Sequence, residues 1–144
     1  MLAFMKNTAS MTSIDTSPQP AALAFSSNEL KQREQRLKAY LQEQDLDGLL
    51  VFSPENIYYL TGLNHFGFFS PHILIVPKQG PMQLVIRAME QAACEAQVKN
   101  AIFQGHADNQ PPGQKASAVI QSMDLGRSRL GLEKHSLFAP LQFC

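Results

Sequence analysis

The sequence predicts a single α/β domain in which helices cover both faces of a mixed sheet of five to six strands. The run at 49–52 is apolar without alternation, as expected of a strand that is buried on both faces. Two further apolar runs, at 72–77 and 82–87, are joined by a short connection containing Gly and Pro, which is typical of an antiparallel hairpin. Helical periodicities precede the first strand and follow the hairpin, and this order favours a layered sheet.

The first helix is predicted to begin at Ser26 and to end near Asp45. Ser26 and Glu29 form a capping box, in which each side chain bonds the other residue's backbone N–H. A Leu-Asp-Gly sequence then breaks the helix. The apolar face of this helix is predicted to contain Leu30, Leu37, Tyr40 and Leu41.

A short helix is predicted directly after the strand at 49–52. Pro54 suits the first position of a helix, and Gly62 suits the position just beyond its end. Tyr58 and Tyr59 have helical spacing behind a strand, so at least one of the two rings is expected in the core.

The second half of the chain is predicted to hold two more helices and two more strands. VKNAIF at 98–103 reads as a strand, the stretch 104–113 as a loop, and RLGLE at 129–133 as a short fifth strand. Gly126 is expected to stop the last helix. The apolar positions of the two helices are Met89, Ala92, Ala93 and Ala96 in the first and Ala116, Val119, Ile120 and Met123 in the second.

Composition excludes several functional classes. The 144 residues carry twelve basic and twelve acidic side chains, so nothing directs the protein to nucleic acid or to an anionic membrane. The apolar runs are too short to span a bilayer, and the N-terminus lacks the features of a signal peptide. Residues 1–25 show no sustained period and are predicted to be a flexible tail. With only two cysteines, a cytoplasmic setting is expected.

No complete catalytic motif is present, and the nearest approach to a site is the sequence Gly-His-Ala-Asp at 105–108. His106 and Asp108 in a loop could begin a metal site, but such sites usually need three or four ligands. The other histidines, His65, His72 and His135, would have to converge on them by folding. The pair is therefore predicted to belong to a surface loop.

The remaining reactive side chains are predicted to have structural roles. Cys94 lies on the apolar side of a helix, so it is expected to be a buried small hydrophobe and not a nucleophile. Asp45 and Asp47 bracket a turn before a strand. They are expected to be helix-breaking and capping residues, and not a catalytic pair. Arg87 and Glu90 lie one helical turn apart and are expected to form a surface ion pair.

The sequence resembles the N-terminal domain of the creatinase/prolidase family, the pita-bread metallopeptidases that include Xaa-Pro aminopeptidases and prolidases. The family pattern joins an amphipathic helix, an Asp-Gly-Leu-Leu-Val strand and an Asn-Ile-x-Tyr-Leu-Thr-Gly segment, with an Arg-Leu-Gly-x-Glu strand later. The likeness covers about 29–138, and the residues that carry it are Arg36, Leu37 and the stretches 47–51, 56–62, 85–93 and 129–137.

The resemblance implies a fold, a partner and a missing active site. Family members have a small, ribonuclease-H-like α/β domain followed by a larger catalytic domain that binds two divalent metal ions (Mn, Co or Zn). It implies a tail at 1–25, a creatinase-type domain at 26–138, and at 139–144 the start of a linker to a catalytic domain that this chain lacks. The chain then has no catalytic residue and no metal or other cofactor of its own. Its expected partners are that catalytic domain and a second subunit of a homodimer or larger homo-oligomer.

An aromatic loop at 64–70 is the candidate site, and it carries His65, Phe66, Phe68 and Phe69. In family oligomers this side of the domain approaches a partner's active site, so the loop is a candidate wall for substrate access. The alternative is that two Phe rings fill the domain's own core. Between Leu63 and Pro71 the only basic group is the titratable His65. A creatine-like substrate is therefore disfavoured, and proline peptides and related N-substituted amino acids remain open.

Three functions compete at this point. The first is the non-catalytic domain of a metal-dependent hydrolase acting on proline-containing peptides. The second is a stand-alone module that binds a small ligand with the aromatic loop. The third is a nuclease-like enzyme, which would need several carboxylates to meet, and only Asp45, Asp47 and Glu133 lie near predicted strands. No basic patch accompanies them, so the third is disfavoured.

Overall fold

The structure is a computed structural model, and it describes residues 23–64 and 70–134. Its elements are α1 (Ser27–Glu43), β1 (Gly48–Val51), α2 (Pro54–Thr61), β2 (Ile73–Pro77), β3 (Met82–Arg87), a 3₁₀ turn (Ala88–Glu90), α3 (Gln91–Gln97), β4 (Ala101–His106), α4 (Pro112–Ser122) and β5 (Leu130–Leu132). The predicted linker at 139–144 and nearly all of the predicted tail lie outside the described residues.

The five strands form one mixed sheet in the order β4-β3-β2-β1-β5. β2 runs antiparallel to both of its neighbours, whereas β1 is parallel to β5 and β3 is parallel to β4. Consequently β1, β3, β4 and β5 all point in one direction, and β2 alone points in the other. The predicted fold class, including the hairpin and the inner position of β1, is confirmed.

Each face of the sheet has its own hydrophobic core, because alternate strand residues point to opposite faces. On one face, side chains of β1, β2 and β3 pack against α1, α2 and α3, with Leu41, Ile57 and Cys94 among the buried residues. On the other face the strands pack against Ala116 and Val119 of α4. Helices therefore cover both faces, as the sequence predicted.

One of the two hydrogen bonds of the predicted capping box of α1 is present, and the other is absent. The side chain of Ser26 accepts the backbone N–H of Glu29 at 3.2 Å, as in a capping box. The Glu29 carboxylate instead pairs with Arg33 on the next turn. The helix ends at Glu43, and Asp45 then adopts a left-handed conformation with φ of 53°.

Tyr40 was predicted to lie on the apolar face of α1, and that prediction is wrong. Leu30 and Leu41 are buried and Leu37 is partly buried, but Tyr40 is 54% exposed. The buried stripe of this helix is narrower than predicted, and successive helical residues lie about 100° apart, so the residue before Leu41 falls at the solvent edge.

The apolar stripe predicted for α3 is also wrong. Met89 is 70% exposed and Ala92 and Ala96 are exposed, whereas Cys94 and Val98 are buried. The segment begins with the 3₁₀ turn, which has fewer residues per turn than an α-helix. The residues that follow therefore face a different direction from the one that a continuous α-helix would give them. The larger pair Cys94 and Val98, four residues apart, meets the sheet instead.

Among the helices of the described residues, none combines the length and the apolar character that crossing a bilayer requires.

We expect neighbouring substitutions in α1 to separate the core from the surface. Leu41→Ala removes a fully buried side chain and should lower the free energy of unfolding by about 2–5 kcal/mol. Tyr40→Ala, one residue away, should change it by no more than about 0.5 kcal/mol. Urea unfolding of the two variants measures both values, and similar losses would contradict the assignment of Tyr40 to the surface.

Candidate functional site

Four parallel strands end at one edge of the sheet, which we call the carboxyl edge. β1, β3, β4 and β5 end there at Val51, Arg87, His106 and Leu132. The antiparallel β2 begins there, because Ile73 pairs with a residue near the end of β3. In open α/β sheets, ligands usually bind outside the carboxyl ends of the strands. The carboxyl edge is therefore the candidate functional region of the domain.

The aromatic loop connects the end of α2 to the start of β2 at the carboxyl edge. Its candidate residues His65, Phe66, Phe68 and Phe69 lie outside the described residues, so neither the substrate-access hypothesis nor the core-filling alternative is tested. The structure does describe how the chain is held on either side of this loop.

The chain entering the loop is fixed by polar side chains. Gly62 ends α2 in the left-handed conformation, with φ of 78°. The hydroxyl of Thr61 donates to the carbonyl of Ile57 at 2.7 Å and accepts the N–H of Leu63 at 3.2 Å. The backbone N–H of Asn64 then donates to Gln97 Oε1 at 2.7 Å. A left-handed glycine followed by two side-chain anchors defines the direction in which the loop leaves α2.

The chain leaving the loop is fixed by a buried pair of ionisable side chains. His72 Nε2 lies 3.3 Å from Glu90 Oε2, and the two side chains are only 9% and 6% exposed. The prediction that Glu90 pairs with Arg87 at the surface is therefore wrong. The 3₁₀ turn carries Glu90 inward beneath the start of β2, and Arg87 pairs with Asp108 instead. A buried carboxylate needs such a partner, because taking its charge out of water alone is very costly.

The start of α2 is capped by Glu133, which follows β5. The Glu133 carboxylate accepts the N–H groups of Phe52 at 2.7 Å and Ser53 at 2.8 Å, the Ser53 hydroxyl at 2.7 Å and the side-chain amide of Asn56. Burial by itself raises the pKa of Glu133, but these hydrogen bonds outweigh it and lower the pKa below 4.5. The motif residues Asn56 and Glu133, far apart in the chain, thus meet and have a structural role.

The carboxylates of the nuclease-like hypothesis do not converge. Asp47 precedes β1 and accepts from Lys78 Nζ and from the Arg129 backbone N–H, both at 3.0 Å. Asp45 pairs with the Arg129 guanidinium at 2.6 Å. Because β1 and β5 are parallel, these two groups lie at the opposite end of the strands from Glu133. Asp45 follows the end of α1 in the left-handed conformation, as predicted for a helix breaker, whereas Asp47 caps no helix and instead ties the start of β1 to Lys78 and Arg129.

The Gly-His-Ala-Asp sequence is only partly a surface loop. β4 continues to His106, which is 3% exposed, so the predicted loop begins after that residue. Asp108 is exposed and accepts from Arg87 Nε at 2.9 Å, and this bond lowers the pKa of Asp108. Within 23–64 and 70–134, no three His, Cys, Asp or Glu side chains come together as metal ligands.

Neither Tyr58 nor Tyr59 is a core residue, so that prediction is wrong. Ile57 and Leu60 are the buried positions of α2, while Tyr59 is 45% exposed and Tyr58 is half-buried against Phe25 at 5.0 Å between ring centroids. The two tyrosines instead belong to a surface cluster around the buried side chain of Arg33.

Arg33 is a buried residue that sequence reasoning missed. Its guanidinium lies between the rings of Phe25 and Tyr59, at 3.9 and 4.2 Å from their centroids, and donates to the Tyr59 carbonyl at 2.7 Å. The available signal was its position on α1, three residues after Leu30 and four before Leu37, on the apolar stripe. This contact joins α1 to α2.

Cys94 has the predicted environment. It is 2% exposed, and burial raises the pKa of its thiol to about 11. A thiol in this state is a poor nucleophile at neutral pH, because the reactive species is the thiolate.

The chain belongs to the creatinase/prolidase family. The family model of the Creatinase/Prolidase N-terminal domain matches residues 33–142. An uncharacterized hydrolase/peptidase, y4tM, of Sinorhizobium fredii (strain NBRC 101917 / NGR234) is 44% identical over 54 residues. That alignment covers 38% of this chain and 14% of the relative, so the chain spans a small part of that protein's length.

Solved structures agree with the fold. An XXA-Pro aminopeptidase from Streptococcus pyogenes matches with a TM-score of 0.66 at 20% identity, over 82% of this chain and 84% of the other. A proline dipeptidase from Streptococcus pneumoniae matches with a TM-score of 0.60 at 25% identity, over 70% and 73%. The N-terminal domain of an Xaa-Pro dipeptidase from Lactobacillus brevis matches with a TM-score of 0.66 at 15% identity, over 77% and 83%.

We expect Glu133 to make the stability of the domain dependent on pH. Its pKa is lower in the folded chain than in the unfolded chain, so its stabilising effect is complete above about pH 4.5 and is lost as the pH falls through the folded-state pKa. Glu133→Gln keeps the shape but removes the charge. The stability difference between wild type and variant should therefore shrink between about pH 7 and about pH 3 in urea unfolding.

The matched control is Glu55→Gln, which removes an exposed carboxylate from the first turn of the same helix. We expect it to change stability much less at neutral pH than Glu133→Gln does. Equal effects of the two substitutions would mean that the carboxylate acts only through the helix dipole, and not through its four hydrogen bonds.

Proposed function

We propose that this chain is the non-catalytic N-terminal domain of a metal-dependent hydrolase of the Xaa-Pro peptidase, prolidase or creatinase type. Its role is to support oligomerisation and to shape access of the substrate to an active site on another domain. The observation that carries the proposal is the anchoring of the chain on both sides of the aromatic loop, together with membership of the family.

The catalytic chemistry is assigned to a separate C-terminal domain. Among the described residues near the carboxyl edge, Glu133 is engaged in a cap, Glu90 pairs with His72 and Cys94 is buried in the core. The described residues also offer no ligand set for a divalent metal ion. The two divalent ions (Mn, Co or Zn) of the proposal therefore belong to the catalytic domain, and manganese is the expected metal. The proposed setting is the cytoplasm, and the proposed assembly is a homodimer.

The aromatic loop is the proposed contact with substrate or with a second subunit. His65, Phe66, Phe68 and Phe69 supply apolar surface beside one titratable group, which suits a proline ring better than a charged substrate. Anchors at Asn64 and at His72 reduce the conformational entropy that such a loop loses on binding, and preorganised apolar side chains bind more tightly for that reason.

We expect Phe68→Ala to affect the parent enzyme more than this chain. In the 144-residue chain the substitution should lower the free energy of unfolding by well under the roughly 3–5 kcal/mol of a core Phe truncation. In the complete enzyme the same change should lower kcat/KM or weaken oligomerisation. The matched control is Phe52→Ala, which removes a ring that is 2% exposed and should show the full core loss.

The two variants are compared by denaturant unfolding of the 144-residue chain. A loss for Phe68→Ala as large as that for Phe52→Ala would show that the loop fills the domain's own core, and the substrate-access proposal would then be abandoned.

We expect the chain by itself to show no peptidase activity and no tight divalent-metal binding. Calorimetric titration with Mn²⁺ or Zn²⁺ tests this directly, because a structural or catalytic site of this family type requires several converging ligands. A stoichiometric site of micromolar affinity would contradict the assignment and would direct attention to His106 and Asp108.

A further inference from the structure

A hollow opens at the carboxyl edge beside the ends of β3 and β4, and we call it the β3–β4 hollow. Its volume is about 420 Å³, within the range of small-molecule sites. Arg87 and His106 are the last residues of the two parallel strands and are paired in register, so they lie side by side at its base. Ser70, Asp108 and the two prolines at the start of α4 also line it.

His106 brings an unsatisfied acceptor to this hollow. Its Nδ1 lies 3.0 Å from the carbonyl oxygen of Ala107, and a carbonyl can only accept, so Nδ1 carries the proton. In the neutral ring Nε2 is then an acceptor, and it is buried without a hydrogen-bond partner among the described residues. Almost none of its surface is accessible, so a ligand donor reaches it only when the imidazole turns toward the hollow, and a buried polar atom left in this state is destabilising. A donor brought by a ligand would satisfy it.

Positive charge is available next to this acceptor. Arg87 uses only Nε in its bond with Asp108, so within the described residues both Nη groups remain for a ligand. α4 is eleven residues long and begins at Pro112 with no side chain capping it, so its positive end is directed to the hollow. Pro112 has no N–H, and the N–H groups of Gln114 and Lys115 donate to the Pro111 carbonyl, so Gly113 supplies the donor for an anion.

Negative charge is available on the other side. Only Oδ1 of Asp108 is bound by Arg87, and the carboxylate is 68% exposed, so Oδ2 is accessible to a cationic group. The hollow therefore presents an anion-binding part, formed by Arg87 and the start of α4, next to a part formed by Asp108 and His106 that accepts hydrogen bonds.

We propose that the β3–β4 hollow binds an α-amino carboxylate as its zwitterion. The carboxylate of the ligand bonds Arg87 and the first N–H of α4, supplied by Gly113. The ammonium group bonds Asp108 and donates to His106 Nε2. Pro111 and Pro112 provide apolar wall for the ligand's side chain.

The test uses the complete 144-residue chain, labelled with ¹⁵N, and three probes: an amino acid and the two molecules left when either of its charged groups is removed. L-Alanine carries both charges, propionate carries only the carboxylate, and ethylamine carries only the cation. We expect L-alanine to shift the His106 ring nitrogens and the Gly113 amide saturably, with a dissociation constant in the range of about 1 mM. Propionate and ethylamine should bind at least about tenfold more weakly, because each lacks one charge-assisted pair.

Two substitutions locate the binding. Arg87→Gln should weaken L-alanine binding at least about tenfold, because a charge-assisted contact to the carboxylate is lost. Arg129→Gln is the matched control, since it also removes an arginine from an exposed pair with an aspartate and should leave binding unchanged. Should Arg87→Gln fail to fold, Asp108→Asn tests the ammonium contact at an exposed residue.

Three results would overturn the proposal. One is the absence of a saturable shift at His106 with L-alanine. Another is equal binding of propionate, which would show a simple anion site. The third is unchanged affinity in both Arg87→Gln and Asp108→Asn.

Discussion

The four hydrogen bonds of Glu133 hold the start of α2 to the end of β5 at the carboxyl edge. α2 has only eight residues, and a helix of that length has little stability of its own in water. Its position is therefore set by what holds its ends and its buried face. Glu133 binds both the last turn of chain before α2 and the Asn56 side chain within it. The end of β5 thus determines where α2 begins, and the opposite end of α2 determines where the aromatic loop begins.

The other side of the loop depends on a different kind of interaction, the buried pair of His72 and Glu90. Burying two ionisable groups involves a large desolvation penalty, and apolar residues of similar volume often pack there at least as favourably. Such a pair is more informative about geometry than about stability, because a contact between two buried side chains ties the 3₁₀ turn to the start of β2. We infer that its value to the protein is a defined direction for the chain that enters β2.

Local signals in the sequence were sufficient for most of the fold. The strands follow from continuous apolar runs, and the ends of α2 follow from Ser53, Pro54 and Gly62, since those residues act through contacts with their immediate neighbours. The burial of Cys94 was also predictable. The resemblance to the family gave the class of protein before any contact was known, because motif residues such as Asn56 and Glu133 are distinctive in combination.

The contacts that define the candidate site were not predictable in the same way, because they join residues distant in sequence. Arg87 and Glu90 are local neighbours, and a local rule paired them. In the fold Arg87 pairs with Asp108, 21 residues away, and Glu90 pairs with His72, 18 residues away. Glu90 does not pair with Arg87 because Glu90 is buried. Tyr59 was misassigned for a related reason, since its ring packs on Arg33, whose charge disguises a position on the apolar stripe of α1.

The direction of the strands explains why polar groups concentrate where they do. Four of the five strands end at the carboxyl edge, so the residue types that terminate strands collect there: Arg87, His106 and Glu133. Glu133 is fully engaged by its hydrogen bonds, whereas His106 retains a buried acceptor and Arg87 retains donors. Among the described residues, the polar hollow and the contacts that flank the aromatic loop therefore lie near one edge of the sheet. The unsatisfied polar groups therefore lie at β3 and β4, whereas the polar groups at the end of β5 are used to position α2.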